Sequence, residues 1–357
     1  MKIIEISCKS IYLNEEIKEL ETNPLPLKVV CTIGTFDGLH KGHCYFLNNL
    51  WQYAIRHKLF SLVFTFPKSP NPDKNDLNFT TINEKILYFE HSGLNYLIII
   101  KVDKWLYKTT SQQFINFIKK YFLVDTFICT KDTTYGKDKT GSITELKEHF
   151  KVKEVELLTF DQKRNISTSL VKNHFQNNYP IEDINLFLGH PYFLLGKVVP
   201  GTQIGTKMFI STLNLLIPKN KLIPIDGIYT GIVYLKDLDK FFWSLIYIGK
   251  SPTMLNLKNS RIEVHLFKWP ARTNYSISEN NFENTLLNIK QLTVYFLKFL
   301  RHDQICSSQL ELLDVIKDDI KKAKLFISKT EKRLKMLQNI TNEEIEKKLL
   351  GNLYVNF

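Results

Sequence analysis

The stretch VVCTIGTFDGLHKGH, Val29–His43, runs from a continuous apolar segment through a glycine-flanked turn carrying an aspartate into two histidines three positions apart. Its opening VVCTIG lacks the alternation of a half-wet strand and reads as a buried one. After His43, Leu47, Leu50, Trp51 and Ala54 recur at i, i+3, i+4 and i+7, which predicts a helix with one apolar stripe. His40 and His43 therefore fall where a strand hands over to a helix. Alone, the pair fits ordinary turn and core histidines as well as ligand-binding ones. The strand before and helix after favour the second reading, because a helix N-terminus carries unpaired N–H groups and a partial positive charge that attract anions. Imidazoles there can donate to phosphate oxygens as charge builds in a transition state, and Gly38 and Gly42 let backbone approach closely.

Outward from this stretch, SLVFTF, NYLIIIKV and DTFIC repeat the buried-strand pattern, with helical periodicity between them. INEKILYFEHSG stops at a glycine, and SQQFINFIKKYF opens with Ser111, which can cap its first turn. Alternating strands and helices predict an α/β fold, a doubly wound parallel sheet with its ligand crevice at the strands' carboxyl ends. From about Leu188 the pattern becomes turn-punctuated strands without helices between them, which predicts a small antiparallel barrel or sandwich. A helical segment from roughly Phe282 to Ile327, broken near Asp303, is expected next, and the last residues read as a charged helix. The boundary is placed between Pro180 and Gly189, giving 1–186 for the α/β half, 187–328 for the barrel with its helix, and 329–357 for a helical extension.

The 357 residues carry a formal charge of +12, but the lysines are dispersed, as on a solvated surface. No zinc-finger, RRM or helix-turn-helix signature accompanies the charge, so no specific nucleic-acid partner is expected. No apolar run approaches the length of a bilayer span, so no membrane partner is expected and the cytoplasm is the plain reading. The five cysteines are scattered without a C-x-x-C pair, which fits reduced thiols better than a disulfide frame or zinc site.

GTFDGLHKGH resembles the G-x-F-D-G-x-H-x-G-H motif of the prokaryotic bifunctional riboflavin kinase and FAD synthetase family. A similar motif occurs in cytidylyltransferases, but further motifs follow in the family's order. VFTFPKSP is similar to T-F-x-P-H-P, with Ser69 at the usual histidine. TKDTTYGKDKTG resembles G-x-D-F-R-F-G-x-x-x-x-G, keeping Asp132, Gly136 and Gly141. ISTSLVK stands where the family has I-S-S-T-x-I-R. LGHPYFLLGKVVPGTQIG, STLNL, DGIYTG, IGKSPT, EVHLF and FLKFLR then follow as in a flavokinase barrel.

The resemblance implies two reactions: phosphorylation of riboflavin by ATP to FMN, and adenylylation of FMN by a second ATP to FAD with release of pyrophosphate. It implies catalytic roles for His40 and His43 in the first half, with nucleotide binding by Gly34, Thr35, Phe36, Asp37, Asp132, Ser167, Thr168 and Lys172. In the second half it implies Glu263 as general base, Thr212 and Asn214 as ligands of ATP-bound Mg2+, Gly205 at the nucleotide, and Asp226, Gly227 and Arg301 at the flavin. Departures collect in that half: Ser211 replaces a proline, Tyr247 replaces an asparagine, and an L-Y-G is missing from KWPARTNY. A monofunctional FMN adenylyltransferase with a flavin-binding barrel, a cytidylyltransferase-like enzyme, and a basic interaction protein are the other readings. His40, His43 and Asp37 argue against the last. Oligomeric state has no signature in the sequence.

Overall fold

A computed structural model describes residues 1–7, 10–13, 16–18, 25–70, 77–156, 158, 166–199, 212–250, 260–267 and 289–338. They divide into two compact units, Met1–Val171 and a second beginning at Lys172. The expected cut after residue 186 falls inside a helix of the second unit, Ile181–Leu188.

The first unit is built on an eight-stranded sheet. Its strands are β1 (Lys2–Ser7), β2 (Ser10–Leu13), β3 (Glu16–Lys18), β4 (Leu25–Ile33), β5 (Phe60–Thr65), β6 (Tyr96–Ile100), β7 (Phe122–Cys129) and β8 (Lys151–Glu154), in the spatial order β3-β2-β1-β6-β5-β4-β7-β8. Six strands, β1 and β4 to β8, run parallel; β2 and β3 add an antiparallel edge. Val29, Val30 and Cys31 of β4, Leu62, Val63 and Phe64 of β5, and Leu97 and Ile98 of β6 are fully buried. A strand covered on both faces needs an unbroken apolar run, which these supply. Each such side chain contributes about 1.5–3 kcal/mol of burial.

Helix α1 (Lys41–His57) follows β4, α2 (Ile82–His91) follows β5, α3 (Lys104–Lys108) and α4 (Ser111–Tyr121) lie between β6 and β7, and α5 (Ile143–His149) precedes β8. Leu47, Leu50, Trp51 and Ala54 are buried along α1, as its periodicity predicts. Helix α4 is capped by Thr110 rather than Ser111: the Thr110 hydroxyl accepts from the Gln113 amide while the Gln113 side chain accepts from the Thr110 amide. The two-sided capping box outcompetes a single serine one position later. The chain leaves β4 toward β5 and β6 on one side and reaches β7 and β8 on the other. This strand-order reversal between β4 and β7 is where an open α/β sheet forms its ligand crevice.

The second unit begins within α6 (Thr168–Gln176), which the division crosses after Val171, and continues through α7 (Ile181–Leu188). It then closes a barrel from β9 (Tyr192–Val199), β10 (Leu213–Leu216), β11 (Gly227–Leu235), β12 (Lys240–Lys250), β13 (Ser260–Leu266) and β14 (Gln291–His302), in the order β10-β13-β12-β11-β14-β9. Every pairing among these strands is antiparallel. The expected helix from Phe282 is corrected by β14. QLTVYFLKFLRH pairs with β11 and β9 and buries Leu292, Thr293, Val294, Tyr295 and Phe296 in succession. A buried run of this length has no periodicity separating helix from strand, and its aromatic and β-branched residues suit a strand. Residues 282–288 lie outside the described residues. Helix α8 (Gln309–Gln338) continues without a break past residue 329; 339–357 lie outside. Asn185 of α7 ties the helix to the barrel, its amide donating to the Phe296 carbonyl and its oxygen accepting from the Tyr192 amide.

Candidate active site

The loop from Gly34 to His40 sits at the carboxyl end of β4 and is held in a rare backbone conformation. Phe36 and Leu39 adopt φ of 48° and 47°, with Gly38 between them at 90°. Left-handed non-glycine residues cost of order 1–3 kcal/mol and persist where surrounding bonds over-determine them. Here the bonds are identifiable. The Asp37 carboxylate accepts from the Thr80 amide at 2.7 Å, the Thr80 hydroxyl accepts from the Gly38 amide at 2.8 Å, and the Thr168 hydroxyl donates to the Asp37 carbonyl at 2.9 Å.

His40 caps α1, its Nδ1 accepting from the His43 amide at 3.3 Å. The two imidazoles stack with centroids 3.7 Å apart and planes 19° apart. The Thr168 hydroxyl stands 3.5 Å from His40 Nε2. Gly42 makes the stack feasible: a Cβ there would meet the Ile166 carbonyl at 3.0 Å and the His40 ring at 3.1 Å. Buried His43 Nδ1 has no hydrogen-bond partner among the described residues. Burial first, then the neighbouring His40 and Lys85, push the His43 pKa well below the ordinary imidazole range. His43 is therefore neutral at physiological pH, able to donate from one ring nitrogen and accept at the other.

Lys85, on α2, is a residue that sequence reading missed. It is 1% exposed, and its ammonium donates to the Thr35 carbonyl at 2.7 Å and the Phe66 carbonyl at 2.8 Å, fastening the loops that follow β4 and β5. Its signal lay in register: Lys85 shares an i, i+3, i+4 stripe with Tyr88 and Phe89, both buried.

A cavity of about 620 Å³ opens at the strand-order reversal, bounded by Gly34 and Thr35, Phe66, Tyr107 and the loop from Thr134 to Lys139. Gly136, at φ 74°, lets that loop press on α4, since a Cβ would lie 2.5 Å from the Ser111 nitrogen. Glu145 braces the same loop by accepting from the Tyr135 and Ser111 hydroxyls, and burial raises the Tyr135 pKa.

Among the residues expected at the nucleotide, Gly34 and Thr35 line this cavity, and Asp132 is exposed in the turn after β7. Phe36 is 4% exposed and packs its ring against His43, Phe46 and Phe89, so it supports the histidine from below. The Ser167 hydroxyl accepts from the Leu170 amide in the first turn of α6, and Lys172 lies one turn beyond Thr168 on that helix.

In the second unit, Thr212, Asn214 and Glu263 come together. Asn214 of β10 is directly opposite Glu263 of β13, and the Thr212 hydroxyl donates to Glu263 Oε2 at 3.4 Å. Arg261, two residues before Glu263, joins them: its Nε donates to Asn214 Oδ1 at 3.0 Å and pairs with Glu263 Oε1. Tyr247 of β12 is opposite Glu263 on its other side and donates to Asp303, and burial raises its pKa. Gly227 opens β11 beside Asp226, opposite His302. Arg301 is tied to structure: it makes two bonds, of 2.8 and 2.7 Å, to the carboxylate of Asp319, which is 1% exposed on α8. Gly205 lies outside the described residues.

A parallel sheet with stacked H-x-G-H imidazoles at its first helix, followed by a closed six-stranded barrel, defines a nucleotidyltransferase module joined to a barrel module. The FAD synthetase family model matches residues 23–170 and the riboflavin kinase model matches 188–327. The bifunctional riboflavin kinase/FMN adenylyltransferase of Buchnera aphidicola subsp. Schizaphis graminum is 28% identical over 83% of this chain and 93% of its own. The Bacillus subtilis protein of that name is 29% identical over 67% of this chain and 78% of its own, and that of Escherichia coli K12 is 26% identical over 66% and 77%. A crystal structure titled as a macrolide-efflux protein from Streptococcus pneumoniae superposes with a TM-score of 0.71 at 23% identity, covering 91% of this chain and 99% of that one, a likeness of fold. Among the described residues no helix is long and apolar enough to cross a membrane. The chain belongs to the bifunctional riboflavin kinase/FMN adenylyltransferase family.

Proposed function

We propose that the first unit joins FMN to the AMP portion of ATP and that the barrel makes the FMN from riboflavin and ATP. The observation that carries the first half is the stacked His40–His43 pair at the start of α1, in the loop whose Gly34 and Thr35 border the 620 Å³ cavity. That volume lies within the range of small-ligand and cofactor sites, and its aromatic walls suit a flavin ring. An FMN phosphate oxygen forms a bond to the α-phosphorus of ATP, and the bond to the leaving pyrophosphate breaks. Catalysis of such a transfer is positioning and charge stabilisation. Neutral His43 donates a hydrogen bond as negative charge accumulates on the α-phosphate, while His40, Gly42 and Phe36 fix its ring. The helix start adds N–H donors on the same side.

In the barrel, Glu263 takes the proton of the riboflavin 5'-hydroxyl as that oxygen bonds to the γ-phosphorus and ADP leaves. Thr212 and Asn214 offer hydroxyl and amide oxygens, the donor chemistry a hard divalent cation takes. They would hold Mg2+, which when bound neutralises charge on the ATP phosphates. The modules are read as residues 1–186 and 187–328, a boundary that falls within α7, whose Asn185 is bonded to the barrel.

The test is incubation of the protein with riboflavin, ATP and Mg2+, followed by chromatography of the flavins. FMN appearing first and FAD after it supports both halves. Flavin binding without FMN would reduce the barrel to a binding module, and FMN without FAD would remove the role given to the histidine pair.

A further inference from the structure

The barrel cluster contains one group that its proposed chemistry does not use. Arg261 stands on the same face of β13 as Glu263, two residues earlier, since side chains alternate along a strand. Its Nε donates to Asn214 Oδ1 and forms an ion pair with Glu263 Oε1. Thus a fixed positive charge sits 3.0 Å from one of the two oxygens assigned to the metal and contacts the assigned base as well. The arginine side chain is 21% exposed and the Glu263 side chain 19%, so water screens this contact less than it would a surface pair. A guanidinium stays protonated at every physiological pH. The repulsion between it and an approaching divalent cation cannot be relieved by losing a proton, only by moving the side chain.

We infer that Arg261 is a built-in competitor for the barrel's divalent cation, a positioning residue that holds Asn214 and Glu263 together and whose fixed charge opposes a cation bound at Asn214. The inference rests on the kinase reading of Thr212, Asn214 and Glu263. It adds that Arg261 sets how much free Mg2+ the kinase half requires. Asn214 has a second lone pair on Oδ1, so the two cations compete through charge more than through the shared atom. The barrel would then respond to Mg2+ over a higher range than the same site without the arginine.

The experiment is calorimetric titration of Mg2+ into the full-length protein with saturating ADP, for wild type and for Arg261→Gln, Arg261→Lys and Asn214→Ala. The heat lost in Asn214→Ala marks the barrel's share and separates it from nucleotide bound by the first unit. Glutamine keeps a hydrogen-bond donor without charge, and Arg261→Gln is expected to lower the half-saturating Mg2+ of the Asn214-dependent phase by about tenfold, the scale of one partly screened charge. Arg261→Lys, which keeps the charge, should stay near wild type. A melting curve checks that each variant is folded. An Asn214-dependent phase with the same or a higher midpoint in Arg261→Gln overturns the inference and leaves the kinase reading standing. No Asn214-dependent phase in wild type overturns the kinase reading and the inference with it.

Discussion

His43 lies ring to ring on His40 at 3.7 Å between centroids, with its own buried Nδ1 lacking a partner among the described residues. Two imidazoles cannot both be charged at that separation, and the amide bond from His43 to His40 Nδ1 requires an unprotonated nitrogen on His40. The stack is thus a neutral one, supported by Phe36 beneath and by the close backbone approach at Gly42.

The first expectation concerns pH. The folded pKa of His43 lies well below the ordinary value of 6.5, chiefly through burial. Below about pH 6.5 the unfolded chain therefore takes up a proton at this residue that the folded chain refuses, and stability is lost as pH falls from there toward the folded pKa. Melting temperatures of wild type and His43→Gln between pH 7.5 and 5.5 check this: the wild type should lose more on acidification. Parallel curves would mean that His43 is not held neutral.

Lys85 gives the second. Lys85→Met fills the same volume but removes the ammonium from the Phe66 carbonyl and leaves the Thr35 carbonyl with the Thr65 hydroxyl alone. An unsatisfied buried acceptor costs about 1–3 kcal/mol, and the loop that carries His40 loses its fastening. FAD formation from FMN should fall with little change in FMN formation from riboflavin, and chemical denaturation should show the loss of stability. Equal losses in both reactions would assign Lys85 to general folding.

The third concerns Arg301, which resemblance places at the flavin and geometry places on Asp319. Arg301→Ala strands a carboxylate that is 1% exposed, and breaking a buried pair in this way costs about 3–5 kcal/mol. Thermal melting should show a destabilised barrel. Removing both partners in Arg301→Met/Asp319→Leu should recover much of the loss. If the double variant is as unstable as the single, the pair is not what holds α8 to β14.

Much of this architecture was legible in the sequence. β5, β6 and the carboxyl-terminal parts of β4 and β7 are buried on both faces, and their apolar runs announce it; the stripe on α1 and the turn-bounded strands of the barrel are equally direct. The strand β14 was not legible, because burial in succession from Leu292 to Phe296 erases the periodicity that separates strand from helix. At the site, His40, His43, Asp37, Thr168, Thr212, Asn214 and Glu263 were named from motifs, and the structure assembles them in two clusters. Geometry adds structural contacts to their expected roles: Asp37 ties its loop to Thr80, and Phe36 packs against an imidazole. Lys85 and Arg261 were missed because lysine and arginine normally signal solvent, and only pairing with carbonyls or a carboxylate gives them inside positions.

The central claim is that two sites, one in each unit, act in sequence on the flavin. The most direct measurement gives wild type, His43→Gln and Glu263→Gln first riboflavin and then FMN, each with ATP and Mg2+, and follows the products by chromatography. His43→Gln should make FMN from riboflavin and stop there, with FAD formation reduced by about a hundredfold or more. Glu263→Gln should form FMN about 10² to 10⁴ times more slowly yet convert supplied FMN to FAD at the wild-type rate. His43→Gln making FAD as fast as wild type, or Glu263→Gln making FMN as fast, would contradict the account.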